Sequence, residues 1–227
     1  MTRRDVATTL PWMRQGTEHL LALVETLDDL TVPTALPGWT RAHVVGHVAR
    51  NAEALGRLAA WARTGVETPM YPDPAARAAE IERSAALPDA VLRADLARTA
   101  LDLDAALTAL TPDQWHAPVR SALGREMPAA DVPWMRIREV WLHAVDLGEN
   151  VADLPGGVLD MLLDDVTGML SGKDGCPAAT LTPSDRDRTW HLGADGGPPV
   201  TGTAADLVGW LTGRAPATGR PALPRWL

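Results

Sequence analysis

Two stretches of the chain carry nitrogen and oxygen donors at helical spacing. "GWTRAHVVGHVARN", residues 38–51, holds His43 and His47, and "REVWLHAVDLG", residues 138–148, holds Glu139 and His143. Positions i and i+4 leave one face of a helix, so each pair aims at one point. A zinc protease would have Glu directly after its first histidine, and here that residue is Val44. Adjacent or antiparallel helices of a bundle can bring His47, Glu139 and His143 together as an N/N/O donor set. Such a set leaves coordination positions open, as in a catalytic rather than a structural zinc site. The wider stripe Arg136, Glu139, His143 and Asp146 also fits the solvated face of an amphipathic helix, and spacing alone leaves both readings open.

Four amphipathic segments would position these residues. Residues 4–29 place Leu20, Leu23, Val24 and Leu27 at helical spacing, continued by Leu30 and closed by "VPTALPGW". Thr40 is a good N-cap for a second helix that Gly65 ends. A third helical region spans about residues 74–110, with Pro88 marking a kink or a restart, and a fourth spans about residues 131–149. Short loops between them predict a helical bundle over residues 1–150. The chain changes character at "ENVADLPGG": a helix over about 155–171, two short strands within "ATLTPSDRDRTWHLGADGG", and a last helix over about 203–213. Residues 151–227 therefore read as a small α+β domain, and the fold class as α+β, mainly α.

Composition narrows the function classes. The formal net charge is −8, and of 21 basic residues Lys173 is the only lysine, with no basic run longer than two. No basic face for a phosphate backbone is expected, so nucleic acid is excluded as a partner. "MTRRDVATTLPWM" lacks an apolar run long enough for a signal peptide, and no window approaches the ~18 apolar residues of a membrane span. The expectation is a cytoplasmic monomer or small homo-oligomer without a membrane partner. Cys176 is the single cysteine, which rules out an intramolecular disulfide and a Cys-based zinc knuckle. It lies in a Gly/Pro-rich break and reads as incidental, so the chain offers no nucleophile of its own.

The segments "LPGWTRAHVVGHVARNAEALGRLAAWARTGVETPMY", "ARAAEIE", "VPWMRIREVWLHAVDLG" and "AADLVGWLTGR" closely resemble the mycothiol-dependent maleylpyruvate isomerase family. That family belongs to the DinB-like metal-binding four-helix bundles, and the resemblance covers most of the chain, both domains in order. It implies a divalent metal, usually zinc, held by His47, Glu139 and His143, with His43 structural, supporting a ligand or contacting substrate. It further implies that Arg214, which closes "WLTGR", reaches the metal site and binds an anionic group. Arg77 and Asn51 are weaker candidates for contacts to substrate or thiol, and Asp146 for orienting a ligand imidazole.

The implied chemistry is thiol-dependent. A zinc ion holds a bound thiol as thiolate, and mycothiol, a low-molecular-weight bacterial thiol, would be the cosubstrate. Addition to the conjugated double bond of maleylpyruvate, rotation and expulsion of the thiolate would leave fumarylpyruvate. Two other classes share the machinery: a mycothiol S-transferase acting on an electrophilic metabolite, and a non-enzymatic protein that binds metal or a small ligand.

Overall fold

The computed structural model describes residues 5–194 and 196–226. The first four residues of the N-terminal stretch, Asp195 of the strand-bearing stretch and Leu227 lie outside the described residues. The chain divides into two compact units, Met1–Leu147 and Gly148–Leu227. Among the described residues no helix is long and apolar enough to cross a membrane.

The first unit contains α1 (Val6–Thr26), α2 (Arg41–Thr64), α3 (Pro74–Ala85), α4 (Asp89–Thr108) and α5 (Val132–Asp146). Local chemistry sets most of their ends. Asp5 accepts from the Ala7 N–H at the start of α1, and Asp73 from the Ala76 N–H at the start of α3. Gly65, at φ 73°, closes α2 on the Trp61 carbonyl. The helical region after residue 74 is two helices, because Pro88 has no N–H to give and biases Leu87 away from a helical conformation, so the chain restarts there.

Helices α1, α2, α4 and α5 pack as the bundle, while α3 lies against α2. Leu55 and Leu58 of α2, Leu92, Leu96 and Leu107 of α4, and Val132 and Ile137 of α5 are fully buried. Each such side chain contributes roughly 1.5–3 kcal/mol of burial. The polar stripe of α5 is not solvated. Arg136 is 1% exposed, His143 9% and Asp146 8%, while Trp134, Trp141 and Ala144 are buried on the other faces. Helix α5 is thus enclosed on all sides, and its charged residues face the interior.

Between α4 and α5 lies a hairpin that the helical reading passed over. Strands β1 (Pro118–Arg120) and β2 (Glu126–Pro128) pair antiparallel, with Val119 opposite Met127 and both buried. Three residues per strand are too few for alternation to stand out.

The second unit holds α6 (Gly156–Ser171), β3 (Ala179–Pro183), β4 (Trp190–Leu192), β5 (Pro199–Gly202) and α7 (Ala204–Leu211). The sheet order is β4-β3-β5, with β4 antiparallel and β5 parallel to β3. Sequence reading placed two strands here. The third, "PVTG", is a short edge strand that begins with proline and takes its partner across the hairpin. Helices α6 and α7 pack on each other and against the sheet through Leu162, Leu163, Val166, Leu207, Val208, Leu181 and Leu192. The unit has a small core of its own.

Candidate metal centre

The first turn of α2 is built by the residues around Trp39. Pro33 bridges Thr40, the Thr34 N–H donates to the Trp39 carbonyl at 2.9 Å, and Gly38 sits at φ 79°. Thr40 then opens the helix, and the Nδ1 of His43 accepts the Thr40 backbone N–H at 3.2 Å. The other ring nitrogen of His43, Nε2, lies 3.4 Å from Glu82 of α3. His43 is therefore occupied in closing the helix start.

One turn on, His47 faces inward. Its Nε2 is 2.9 Å from Glu139 Oε2, and His143 Nε2 is 3.4 Å from the same oxygen. One donor atom each of His47, Glu139 and His143 lies within 4.8 Å of the others. The two imidazoles meet edge to face at 4.9 Å. On the far side of His143, Nδ1 is 2.8 Å from Asp146 Oδ2. A carboxylate only accepts, so Nδ1 carries a proton and Nε2 faces the cluster.

The environment separates these groups electrostatically. For His47, burial outweighs the hydrogen bond to Glu139 and lowers the pKa, which keeps the ring neutral. For His143, burial acts downward too, but hydrogen bonds to Asp146 and Glu139 prevail and raise it. Burial would raise Glu139, yet the hydrogen bonds from His143 and His47 hold its carboxyl well below the usual range. Two imidazoles, a carboxylate and a carboxylate behind one imidazole form a donor set that fits a divalent cation.

Arg77 and Asn51 diverge. Arg77, on α3, puts Nη2 3.4 Å from His47 Nδ1, and its guanidinium lies 5.9 Å from the centre of the Tyr71 ring. Helix α3 comes this close because α2 presents Gly46 to it: a Cβ there would stand 2.7 Å from Ser84 Cβ. Asn51 is buried, and its Oδ1 accepts from Arg136 Nη1 at 3.0 Å. The same Nη1 donates to the Val48 carbonyl at 2.6 Å, while Nε and Nη2 find no partner among the described residues. Burial pulls Arg136 down to about 10, opposed chiefly by the charge of Glu139.

Three residues beside the cluster escaped assignment from sequence. Trp39 stands at ring-contact distance from the imidazoles. Tyr71, the single tyrosine, has a phenol that burial pushes above its usual range, so it stays protonated. Arg136 was legible only as one member of a polar stripe.

Arg214 and Cys176 belong to the second unit. Arg214 follows α7, with its N–H on the Gly209 carbonyl at 2.7 Å and Nη1 donating to the Thr212 carbonyl at 3.2 Å. Cys176 is half-buried, and burial raises its thiol pKa, which makes it a poor nucleophile.

A helical bundle with an inward His/His/Glu set, followed by a small α+β unit, defines a DinB-like fold with a candidate metal site. The family can be stated more closely. Residues 13–148 match the family model of the mycothiol maleylpyruvate isomerase N-terminal domain, and the chain belongs to this family. The crystal structure of the mycothiol-dependent maleylpyruvate isomerase is 35% identical over 98% of this chain and 97% of that one, with a TM-score of 0.91. A histidine-to-alanine mutant of that isomerase is 34% identical over 98% and 97% of the two chains, with a TM-score of 0.90. Among curated proteins nothing matches.

Proposed function

We propose that this protein is a cytoplasmic mycothiol-dependent isomerase that converts maleylpyruvate to fumarylpyruvate, with zinc held by His47, Glu139 and His143. The observation that carries the reading is the convergence of these three side chains on one point inside a bundle of this family.

Cis–trans isomerisation needs the substrate's double bond to become transiently single. Reversible addition of a thiol sulfur achieves this and returns the thiol unchanged. The ion, when bound, supplies the positive charge that keeps that thiol deprotonated near neutral pH. The chain's own residues do the rest. Asp146 holds the proton on His143 Nδ1 and so keeps Nε2 turned inward. Glu139 and Asp146 balance a divalent charge, which leaves Arg77 and Arg136 to set a positive field for a dianionic substrate. We assign Arg77 to an anionic group of the thiol or substrate, and Arg214 to a substrate carboxylate and the negative charge that develops beside it. Asn51 supports Arg136 rather than touching a ligand. His43 is structural.

The test is turnover of maleylpyruvate by the purified protein with and without mycothiol, before and after chelation. We expect activity to need both thiol and ion, and His47→Ala and His143→Ala to lose the ion while His43→Ala keeps it. Isomerisation without thiol, or full ion content in both ligand variants, would overturn the reading.

A further inference from the structure

Trp39 touches every imidazole at the candidate centre. Its ring centroid is 5.4 Å from that of His47, 6.5 Å from that of His143 and 6.3 Å from that of His43. It runs within 27° of parallel to His143 and 24° to His43, and tilts by 58° against His47. These separations fall in the ~4.5–7 Å range where aromatic rings attract one another beyond the effect of buried area. His47 comes from α2 and His143 from α5, so one indole spans the ligands of two helices.

The loop that carries Trp39 is braced to hold the ring still. The Trp39 N–H donates to the Leu36 carbonyl at 3.0 Å. Its carbonyl takes both the N–H of Thr34 and the Thr34 hydroxyl, each at 2.9 Å. Gly38 supplies the left-handed turn just before it. His43, tied to Thr40 through Nδ1, stacks beside the indole from the helix side. A backbone restrained on both sides leaves the indole few places to go, and the imidazoles packed on it inherit that restraint.

We infer that Trp39 is a positioning residue for the ion site: it holds the His47 and His143 rings at their coordinating angles before the ion arrives. The inference rests on the proposed ion site and goes beyond its ligand set. Asp146 fixes the tautomer and rotation of His143 through a hydrogen bond, but among the described residues no carboxylate is bonded to Nδ1 of His47. On His47 the outer nitrogen faces Arg77, a donor only, at 3.4 Å. Trp39 fills the role that a hydrogen-bonding carboxylate fills for the other ring. Removing it would leave the donors present and loosely aimed, which weakens binding without deleting a ligand.

The experiment compares the wild type with Trp39→Phe and Trp39→Ala, each stripped of ion and checked for unchanged helical circular dichroism. Zn2+ affinity is read by competition with a chromophoric chelator, and quenching of tryptophan fluorescence is read on titration with Co2+. Trp39→Ala is expected to bind Zn2+ about 10–100-fold more weakly, the usual cost of losing a group that orients a ligand. Trp39→Phe, which keeps an aromatic face, is expected to recover most of that loss. Its Co2+ quenching should be visibly smaller than in the wild type, because the indole nearest the ion is gone. Wild-type Zn2+ affinity in a folded Trp39→Ala protein would overturn the inference, and so would undiminished Co2+ quenching in Trp39→Phe. A wild-type protein that binds no Zn2+, or keeps it in His47→Ala, would instead bring down the proposed ion site itself.

Discussion

His143 is held from both ends: Nδ1 lies 2.8 Å from Asp146 Oδ2, while Nε2 faces Glu139 Oε2 at 3.4 Å. Both carboxylates lie on α5, one turn before and just under one turn after the imidazole. The helix thus carries two proposed ligands and the carboxylate that would orient one of them on one stripe. Asp146→Ala leaves all three proposed ligands in place but frees the ring to rotate and to change tautomer. We predict a drop in zinc affinity of about 10–100-fold, measured by chelator competition. An unchanged affinity would mean that helix geometry alone aims His143.

Ion binding should depend on pH in a direction that the site dictates. His143 binds a proton above its ordinary range, against the downward push of burial, through its bonds to Asp146 and Glu139. An ion must displace that proton below the raised pKa and meets a neutral ring above it. Apparent affinity should therefore climb by about tenfold per pH unit up to that point and then level. In ion-free protein the contribution of His143 to stability runs in the opposite sense. A raised histidine pKa contributes stability that is fully present below the unfolded value and is lost as pH rises through the folded one. The lowered pKa of His47 works the other way below its unfolded value. The His143 share is therefore read as the difference between wild-type and Asp146→Ala melts of stripped protein at pH 6 and pH 8, with the larger difference expected at pH 6.

Gly46 sets how near α3 approaches His47. A methyl group there would meet Ser84 Cβ at 2.7 Å, and Ser84 is buried. Gly46→Ala should push α3 outward at a cost of about 1–3 kcal/mol, partly offset by about 1 kcal/mol of helix propensity. The signature is a modest fall in melting temperature together with a raised KM, because Arg77 rides on α3. A changed melting temperature with wild-type KM would detach Arg77 from ligand binding.

Arg214 is proposed to act on substrate charge. Arg214→Ala should fold and retain its ion yet lose about 100-fold in turnover, the usual order for removing one charge-stabilising donor. Arg214→Lys keeps the charge without the planar fork and should stay impaired. Wild-type kinetics in the alanine variant would leave Arg214 as a helix-end residue.

Cys176 supplies the complementary control. Its thiol is half-buried with a raised pKa in the second unit, whereas the proposed sulfur comes from a cosubstrate. Cys176→Ser should retain full mycothiol-dependent activity, and a folded, ion-loaded but inactive variant would point to a protein thiol instead.

What could be read from residues alone follows the range of the interactions involved. Thr40 and Gly65 bound α2 as expected, because caps act within one turn. The i, i+4 spacing brought His47 and the pair Glu139 and His143 to notice for the same reason. Family-like segments then selected His47 over His43, and His47 Nε2 lies 2.9 Å from Glu139 Oε2. The solvated reading of the α5 stripe failed because enclosure depends on neighbours that come from distant sequence. Trp39 sits beside the motif, yet nothing in "LPGWT" says which rings the indole will meet. Tyr71 lies in a loop, and its link to Arg77 runs across the start of another helix. The β1–β2 hairpin and β5 were hidden by length, since three or four residues carry no period.

Arg136 gives the first unit a thermodynamic character of its own. A guanidinium 1% exposed, with two nitrogens lacking partners among the described residues, stands on the same helix as Glu139, His143 and Asp146. Where another bundle would place a seam of leucine, this one seals in a set of charges. Such an interior leaves the empty fold weaker than its apolar area suggests, and a cation held tightly at the proposed site would be a fold-stabilising ligand by mass action, worth about 2.7 kcal/mol at a hundred times its dissociation constant. Cells short of the metal would then lose the polypeptide to proteolysis as well as its activity, so metal supply would set how much of the protein survives.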